Sequence, residues 1–218
     1  LVKWLIRLSR RLFFTIVFLL GCSIVFSTLY PLGYRDYINR YSQEYSIDPF
    51  LVAAIINVES NYNKEAISPK NARGLMQIGS QTGMWAGREL DIDSYSEDML
   101  FDPEINIRIG TWYLHKLRGE FGGDLDLILA AYNGGSGNVQ KWLSDEKYSK
   151  DGKTLDKIPF KETEQYLKKV KNNYKIYRGI YSGYMHRSDG VGFRYIELTN
   201  TLKGYLKKVS VLLKSRRI

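Results

Sequence analysis

The carboxylate with the most unusual setting in this sequence is Glu59. It is the last residue but one of the run PFLVAAIINVES, in which Leu51, Val52, Ile55 and Ile56 make an apolar stripe at helical spacing. Position 59 falls on that stripe, seven residues past Val52 and four past Ile55. A carboxyl group drawn out of water there has its pKa raised, so it holds a proton near neutral pH and can donate it to a leaving oxygen. The same spacing admits a plainer account, in which Glu59 is neutralised by a cation such as Arg73. Periodicity nominates Glu59 without deciding its role.

The elements that must position this group are helices. Asp48 followed by Pro49 is a cap and first-turn pair, and Asp102-Pro103 repeats the signal ahead of INIRIGTWYLHKL, which runs to a stop at Gly122-Gly123. Tyr34, Tyr37, Ile38, Tyr41 and Tyr45 recur at helical intervals. Further helical patterns cover 125–132, 139–143 and about 163–177. The connections are short and rich in Gly, Asn, Ser and Pro, and no pair of alternating strand patterns precedes residue 188. The expectation is a mainly α, single globular domain over 31–187. Residues 188–218 differ: VGFRYIEL can form a strand, and TLKGYLKKVSVLLKSRRI is a basic amphipathic stretch, read as a terminal helix with a solvated lysine face and given no role.

Composition excludes several chemistries. One cysteine, Cys22, precludes an intramolecular disulfide, and with only His115 and His186 beside it no zinc or iron spacing can be assembled, so neither a metal nor another cofactor is expected. No Walker loop, dinucleotide fingerprint or nucleophile elbow is present, and Gly134-Gly135-Ser136-Gly137 follows a helical pattern where a phosphate loop would precede one. The formal charge of +9 gathers partly at the two ends of the chain, which disfavours a nucleic-acid partner.

From Leu12 to Tyr30 the chain carries nineteen residues without a charge. That is enough to cross a hydrocarbon core of roughly 30 Å. Lys3, Arg7, Arg10 and Arg11 precede it and Pro31 closes it. The expectation is a basic cytoplasmic segment over 1–11, a single-pass anchor in the cytoplasmic membrane over 12–30, and everything after it extracytoplasmic. A cleaved signal peptide, or a lipid on Cys22, would also export the domain, but the apolar run continues past Cys22 through Ile24, Val25 and Phe26, and no small-x-small cleavage site stands out.

The segment beginning at Glu59 resembles the lytic transglycosylase family, with its goose-lysozyme-like fold. ESNYNKEAISPKNARGLMQI matches the family's Glu-Ser start, Ala-x-Ser-Pro turn and Gly-Leu-Met-Gln segment. Three more blocks come in family order: Asn106-x-x-x-Gly110-x-x-Tyr113-Leu114, then Ala131-Tyr132-Asn133-Gly134-Gly135 with Val139, then Pro159-x-x-x-Thr163-x-x-Tyr166-Leu167. Together they span about residues 34–181.

The resemblance implies that Glu59 is the catalytic carboxyl, that Ser68, Gln77, Tyr132 and Asn133 line a groove for peptidoglycan glycan strands, and that Tyr166 approaches the carboxyl to orient it. It also implies chemistry with one carboxylate where ordinary glycosidases use two. Glu59 would protonate the oxygen joining N-acetylmuramic acid to N-acetylglucosamine, then take the proton of the muramoyl C6 hydroxyl as that oxygen closes on C1 to give a 1,6-anhydro end. Outside this resemblance Tyr132 could be core, Asn133-Gly134 a helix stop and Gln77 a cap for backbone groups. Tyr62, Trp112, Tyr113 and Trp142 can stack on sugars or pack the core, with core expected for Trp112 and Tyr113. Two departures stand near the cleft: Asn71 where Gly is common, and Gly79-Ser80 where Met-Pro is common, which removes an apolar contact to the sugar.

Two rival functions remain open. A hydrolytic muramidase would use one of Asp91, Asp93 and Asp98 to position water, and a non-catalytic wall-binding protein would keep the fold alone.

Overall fold

The computed structural model describes residues 2–183 and 185; the side chains of residues 2, 3, 5, 6, 8, 19, 20 and 22–27 lie outside that description. The expectations for VGFRYIEL and for the basic C-terminal stretch also fall outside the described residues. The chain divides into two units, one of them Gly33–Phe193.

The N-terminal helix α1 spans Val2–Leu29, with Leu12, Phe13, Phe14, Ile16, Val17 and Phe18 exposed along it. Among the described residues no helix is long and apolar enough to cross a membrane. The anchor expected over residues 12–30 is thus not supported by a described helix, and eight side chains of that run fall outside the described set.

The second unit is helical: α2 (Arg35–Tyr45), α3 (Pro49–Ser60), α4 (Ser80–Glu89), a short 3-10 turn (Glu97–Phe101), α5 (Pro103–Glu120), α6 (Leu125–Gly134), α7 (Ser136–Leu143) and α8 (Lys161–Tyr181). Among the described residues β structure is limited to isolated bridges pairing Arg73 with Ile67 and with Ile78. Both Asp-Pro signals act as caps. Asp48 accepts from the Phe50 N–H at 2.8 Å, and Asp102 from those of Glu104 and Ile105 at 2.9 and 3.0 Å. Asp124 does the same for α6.

Helix α3 is the centre of the unit. Leu51 to Ile56 are buried without a break, so the helix is apolar nearly all round rather than striped. It packs on α8 and on α2. The Tyr174 hydroxyl donates to Asp48 at the start of α3, while Tyr166 faces Glu59 at its end, so α8 runs antiparallel to α3. Thr163 bonds Asn133 at the end of α6 and Lys171 pairs with Asp126 near its start, so α8 is antiparallel to α6 as well. Helices α3 and α6 therefore point the same way, and their C-terminal ends meet the N-terminal end of α8.

Candidate functional site

That meeting point gathers Glu59 from α3, Tyr132 and Asn133 from α6, and Glu162, Thr163 and Tyr166 from α8. Glu59 is half-buried. Burial pushes its carboxyl up to about 7, opposed by the Tyr166 hydroxyl, which favours the ionised form, and reinforced by the negative charge of Glu162. Arg73 does not neutralise it: that guanidinium sits 3.1 Å from Glu97 and 2.7 Å from Asp98. Asp98 is thereby committed to Arg73, while Asp91 and Asp93 line a separate cavity of about 730 Å³ beside the end of α4 that does not include Glu59. The charged residue set against Glu59 is instead Glu162.

The two tyrosines shift in the same direction. Burial, with the Glu59 charge added, pushes the hydroxyls of both Tyr132 and Tyr166 well above their ordinary range. Both stay protonated and can donate. Tyr132 donates to the Met76 carbonyl at 2.9 Å, which fastens α6 to the loop after α3. The buried Tyr166 hydroxyl closes no hydrogen bond of full geometry, although it lies near enough to Glu59 to lower its pKa. It is a buried donor beside the Glu59 carboxyl.

Two of the remaining expected residues, Ser68 and Gln77, hold the loop between α3 and α4. Ser68 Oγ accepts from the backbone N–H of Ala72 and of Lys70 at 3.0 and 3.3 Å. Gln77 donates through Nε2 to the Ala66 and Gly74 carbonyls at 3.1 and 3.0 Å, so its amide nitrogen is engaged by the loop itself. Asn133 Oδ1 accepts from Thr163 at 2.8 Å and ties α6 to α8. Asn71 has φ 61°, the left-handed conformation that Asn tolerates where Gly is common.

Beneath this loop lies Asn106, fully buried and fully bonded. Its Oδ1 accepts from Met76 N–H at 2.7 Å, and its Nδ2 donates to the carbonyls of Leu100 and Arg73 at 2.8 and 3.0 Å. Two glycines let the loop come this close. A Cβ on Gly74, at φ +77°, would meet Leu100 O at 2.1 Å, and one on Gly110 would meet Met76 Sδ at 2.4 Å. The Asn106-x-x-x-Gly110 block is thus the seat of the Gly-Leu-Met-Gln segment.

Of the aromatic residues, Tyr62, Trp112 and Trp142 are buried. Tyr113, expected in the core, is half-exposed and stands 5.6 Å, centre to centre, from Tyr132. Sequence reasoning also missed Glu162. The available signal was its place one helical turn before Tyr166, on the same face of a predicted helix.

The model of the transglycosylase SLT domain family matches residues 36–155. The soluble lytic murein transglycosylase of Escherichia coli (strain K12) is 38% identical over 143 residues, covering 65% of this chain and 22% of that protein. The membrane-bound lytic murein transglycosylase C of Edwardsiella ictaluri is 33% identical over 171 residues, covering 67% of this chain and 47% of that one. The crystal structure of the 70 kDa soluble lytic transglycosylase from Escherichia coli superposes with a TM-score of 0.61 at 36% identity, over 69% of this chain and 25% of that one. An inactive glutamate-to-glutamine mutant of the lytic transglycosylase Slt from Pseudomonas aeruginosa gives the same score at 31% identity, over 69% of this chain and 24% of that one. This chain therefore spans less than half the length of the curated relatives it matches. The matched region includes Glu59, Gln77, Asn106 and Tyr132 in one helical frame, and the chain belongs to the transglycosylase SLT domain family.

Proposed function

We propose that this protein is a peptidoglycan lytic transglycosylase in which Glu59 acts alone as acid and then base. The observation that carries the proposal is a half-buried glutamate with its pKa pushed up to about 7 at the junction of α3, α6 and α8. In the first step Glu59 gives its proton to the oxygen between muramoyl C1 and the next sugar, and the C1–O bond breaks. In the second step the muramoyl C6 oxygen bonds to C1 as Glu59 recovers a proton from that hydroxyl. No water is consumed and Glu59 ends as it began. An intramolecular nucleophile has a high effective molarity, so the groove need only hold the sugar in place. Tyr166 supplies a hydroxyl to the carboxylate formed between the two steps. Ser68, Gln77, Tyr132 and Asn133 line the groove.

The names of the relatives and the inactive glutamate variant support this reading. Its test is mass spectrometry of the sugars released from purified sacculi. An anhydromuramoyl end is expected; a reducing muramic end would replace it with hydrolysis. Glu162 is then the carboxylate to examine as the water-positioning base, since its charge already acts on Glu59.

The domain that does this work is proposed to be 31–187, outside the cytoplasmic membrane, with 12–30 as a single-pass anchor. Support comes from the uncharged run, the basic residues before it, the exposed apolar side chains of Leu12 to Phe18, and a relative named as membrane-bound. The full chain should stay in the membrane pellet after alkaline extraction, and a chain lacking 1–30 should not. Release of the full chain would remove the anchor.

A further inference from the structure

Helix α4 starts at Ser80, three residues after Gln77, so its first turns leave directly from the proposed groove. It carries two large apolar side chains in the open, Met84 and Trp85, at 49% and 37% exposure. An indole left this open on a packed helix forgoes burial that its size would repay. Its place is not isolated. The Trp85 ring meets Tyr113 edge-on at 6.3 Å, and Tyr113 meets Tyr132 at 5.6 Å. Tyr132 in turn feels the charge of Glu59. A continuous aromatic wall therefore runs from the acid to α4.

Trp85 is also held in one orientation. The buried Trp112 supports it edge-to-face at 4.6 Å with 64° between the rings. Lys116, which reaches Glu89 at 3.5 Å, covers Trp112 from another side at 5.3 Å. At the entry to α4 a Cβ added to Gly79 would meet nothing within 4 Å, so the space beside that residue is open. A fixed, part-exposed aromatic beside open space, on the same wall as a sugar-cleaving acid, matches the apolar C–H face of a pyranose ring.

We propose that Trp85 is a saccharide-binding platform, two ring contacts beyond Tyr132, that engages a glycan strand at a sugar remote from the bond Glu59 cleaves. The proposal deepens the function given above and rests on the groove being a glycan cleft. It makes Trp85 a determinant of strand length: two ring contacts from Tyr132 place it beyond a disaccharide held at the cleaved bond, and longer strands gain affinity from it.

The test uses the full chain in mild detergent, in a Glu59→Gln background, titrated calorimetrically with a peptide-free glycan octasaccharide and with the disaccharide. Trp85→Ala should weaken the octasaccharide about tenfold and leave the disaccharide unchanged, while Trp85→Phe recovers most of the loss. With Glu59 intact, KM on long strands should rise by the same factor at constant kcat. Should Trp85→Ala fail to fold, Trp85→Leu carries the same expectation, because it keeps apolar volume against Trp112 and removes the flat ring. Unchanged octasaccharide affinity overturns the proposal. So does an equal loss on both lengths, which marks damage to the fold, or a loss confined to self-association or to phospholipid-vesicle binding. The two readings fail separately. A wild-type chain that yields no anhydro product but loses octasaccharide affinity through Trp85→Ala refutes the chemistry alone, and the converse pattern refutes the platform alone.

Discussion

Asn106 and Glu59 are both polar groups set among apolar helices, and the protein treats them in opposite ways. Asn106 sits under the loop between α3 and α4 with three hydrogen bonds to backbone groups, its donor and acceptor capacity directed at the chain itself. Glu59 sits at the junction of α3, α6 and α8 with no cation opposite it among the described residues, a like charge at Glu162 and a tyrosine hydroxyl that stops short of a full bond. A buried polar group whose bonds are all made rigidifies the fold, and one left short of them is unstable in its charged form and therefore reactive. The contrast separates a residue that holds the frame together from the residue proposed to act in it.

The strongest way to break this contrast is Glu59→Gln. Release of sugar products should fall by about 10³-fold or more, since the neutral amide has no proton of suitable acidity to give. Stability should move the other way. The folded-state pKa of about 7 lies above the unfolded value of 4.5, so the folded chain binds the extra proton between those limits and wild-type stability falls as pH rises through that window. The variant is spared this loss. Thermal unfolding should show the two proteins alike near pH 4 and the variant more stable at pH 8; equal melting temperatures at pH 8 would place Glu59 in water.

Asn106→Ala tests the other half. Three backbone groups lose their partner in a space closed to solvent, and destabilisation of about 2–5 kcal/mol is expected, read from urea unfolding. Activity per folded molecule should fall as well, because Met76, to which Tyr132 is bonded, hangs from the same side chain. A small loss of stability with full activity would show the loop to be held by other contacts.

The sequence made the frame legible where local chemistry dictates it. Asp48-Pro49 and Asp102-Pro103 announce two helix starts by themselves, and an all-apolar α3 leaves few alternatives to a central position. The convergence of α3, α6 and α8 was not legible, because it depends on contacts such as Thr163 with Asn133 that no spacing rule encodes. Helix α4 was missed for a physical reason. It buries Gly83 and Gly87 against Tyr95, with Ala86 buried as well, so its inner face is made of small residues, inverting the usual pattern. Gln77 shows the reverse case, since its amide nitrogen serves backbone carbonyls, the capping role that the residues alone allowed.

Tyr166→Phe should have a smaller effect than either change above, a fall of about tenfold in kcat, with the alkaline limb of the pH profile moved to higher pH because the hydroxyl that favours the carboxylate is gone. An unmoved limb would show that the hydroxyl does not act on Glu59.

The smallest expected effect sharpens the comparison most. Glu162 is exposed and paired only loosely with Lys70 at 3.8 Å, so Glu162→Gln should leave stability almost unchanged. Its charge nonetheless raises the Glu59 pKa, and removing it lets Glu59 ionise at lower pH. Activity that requires protonated Glu59 falls as pH rises through that pKa, so the alkaline limb near pH 7 should move toward acid. Tyr166→Phe moves the same limb the opposite way, and the double variant should fall between the two. A pair of variants that displace one limb in opposed directions while leaving the unfolding transition nearly still identifies a single titrating carboxyl, because a general loosening of α8 would move both limbs alike and lower the melting temperature with them.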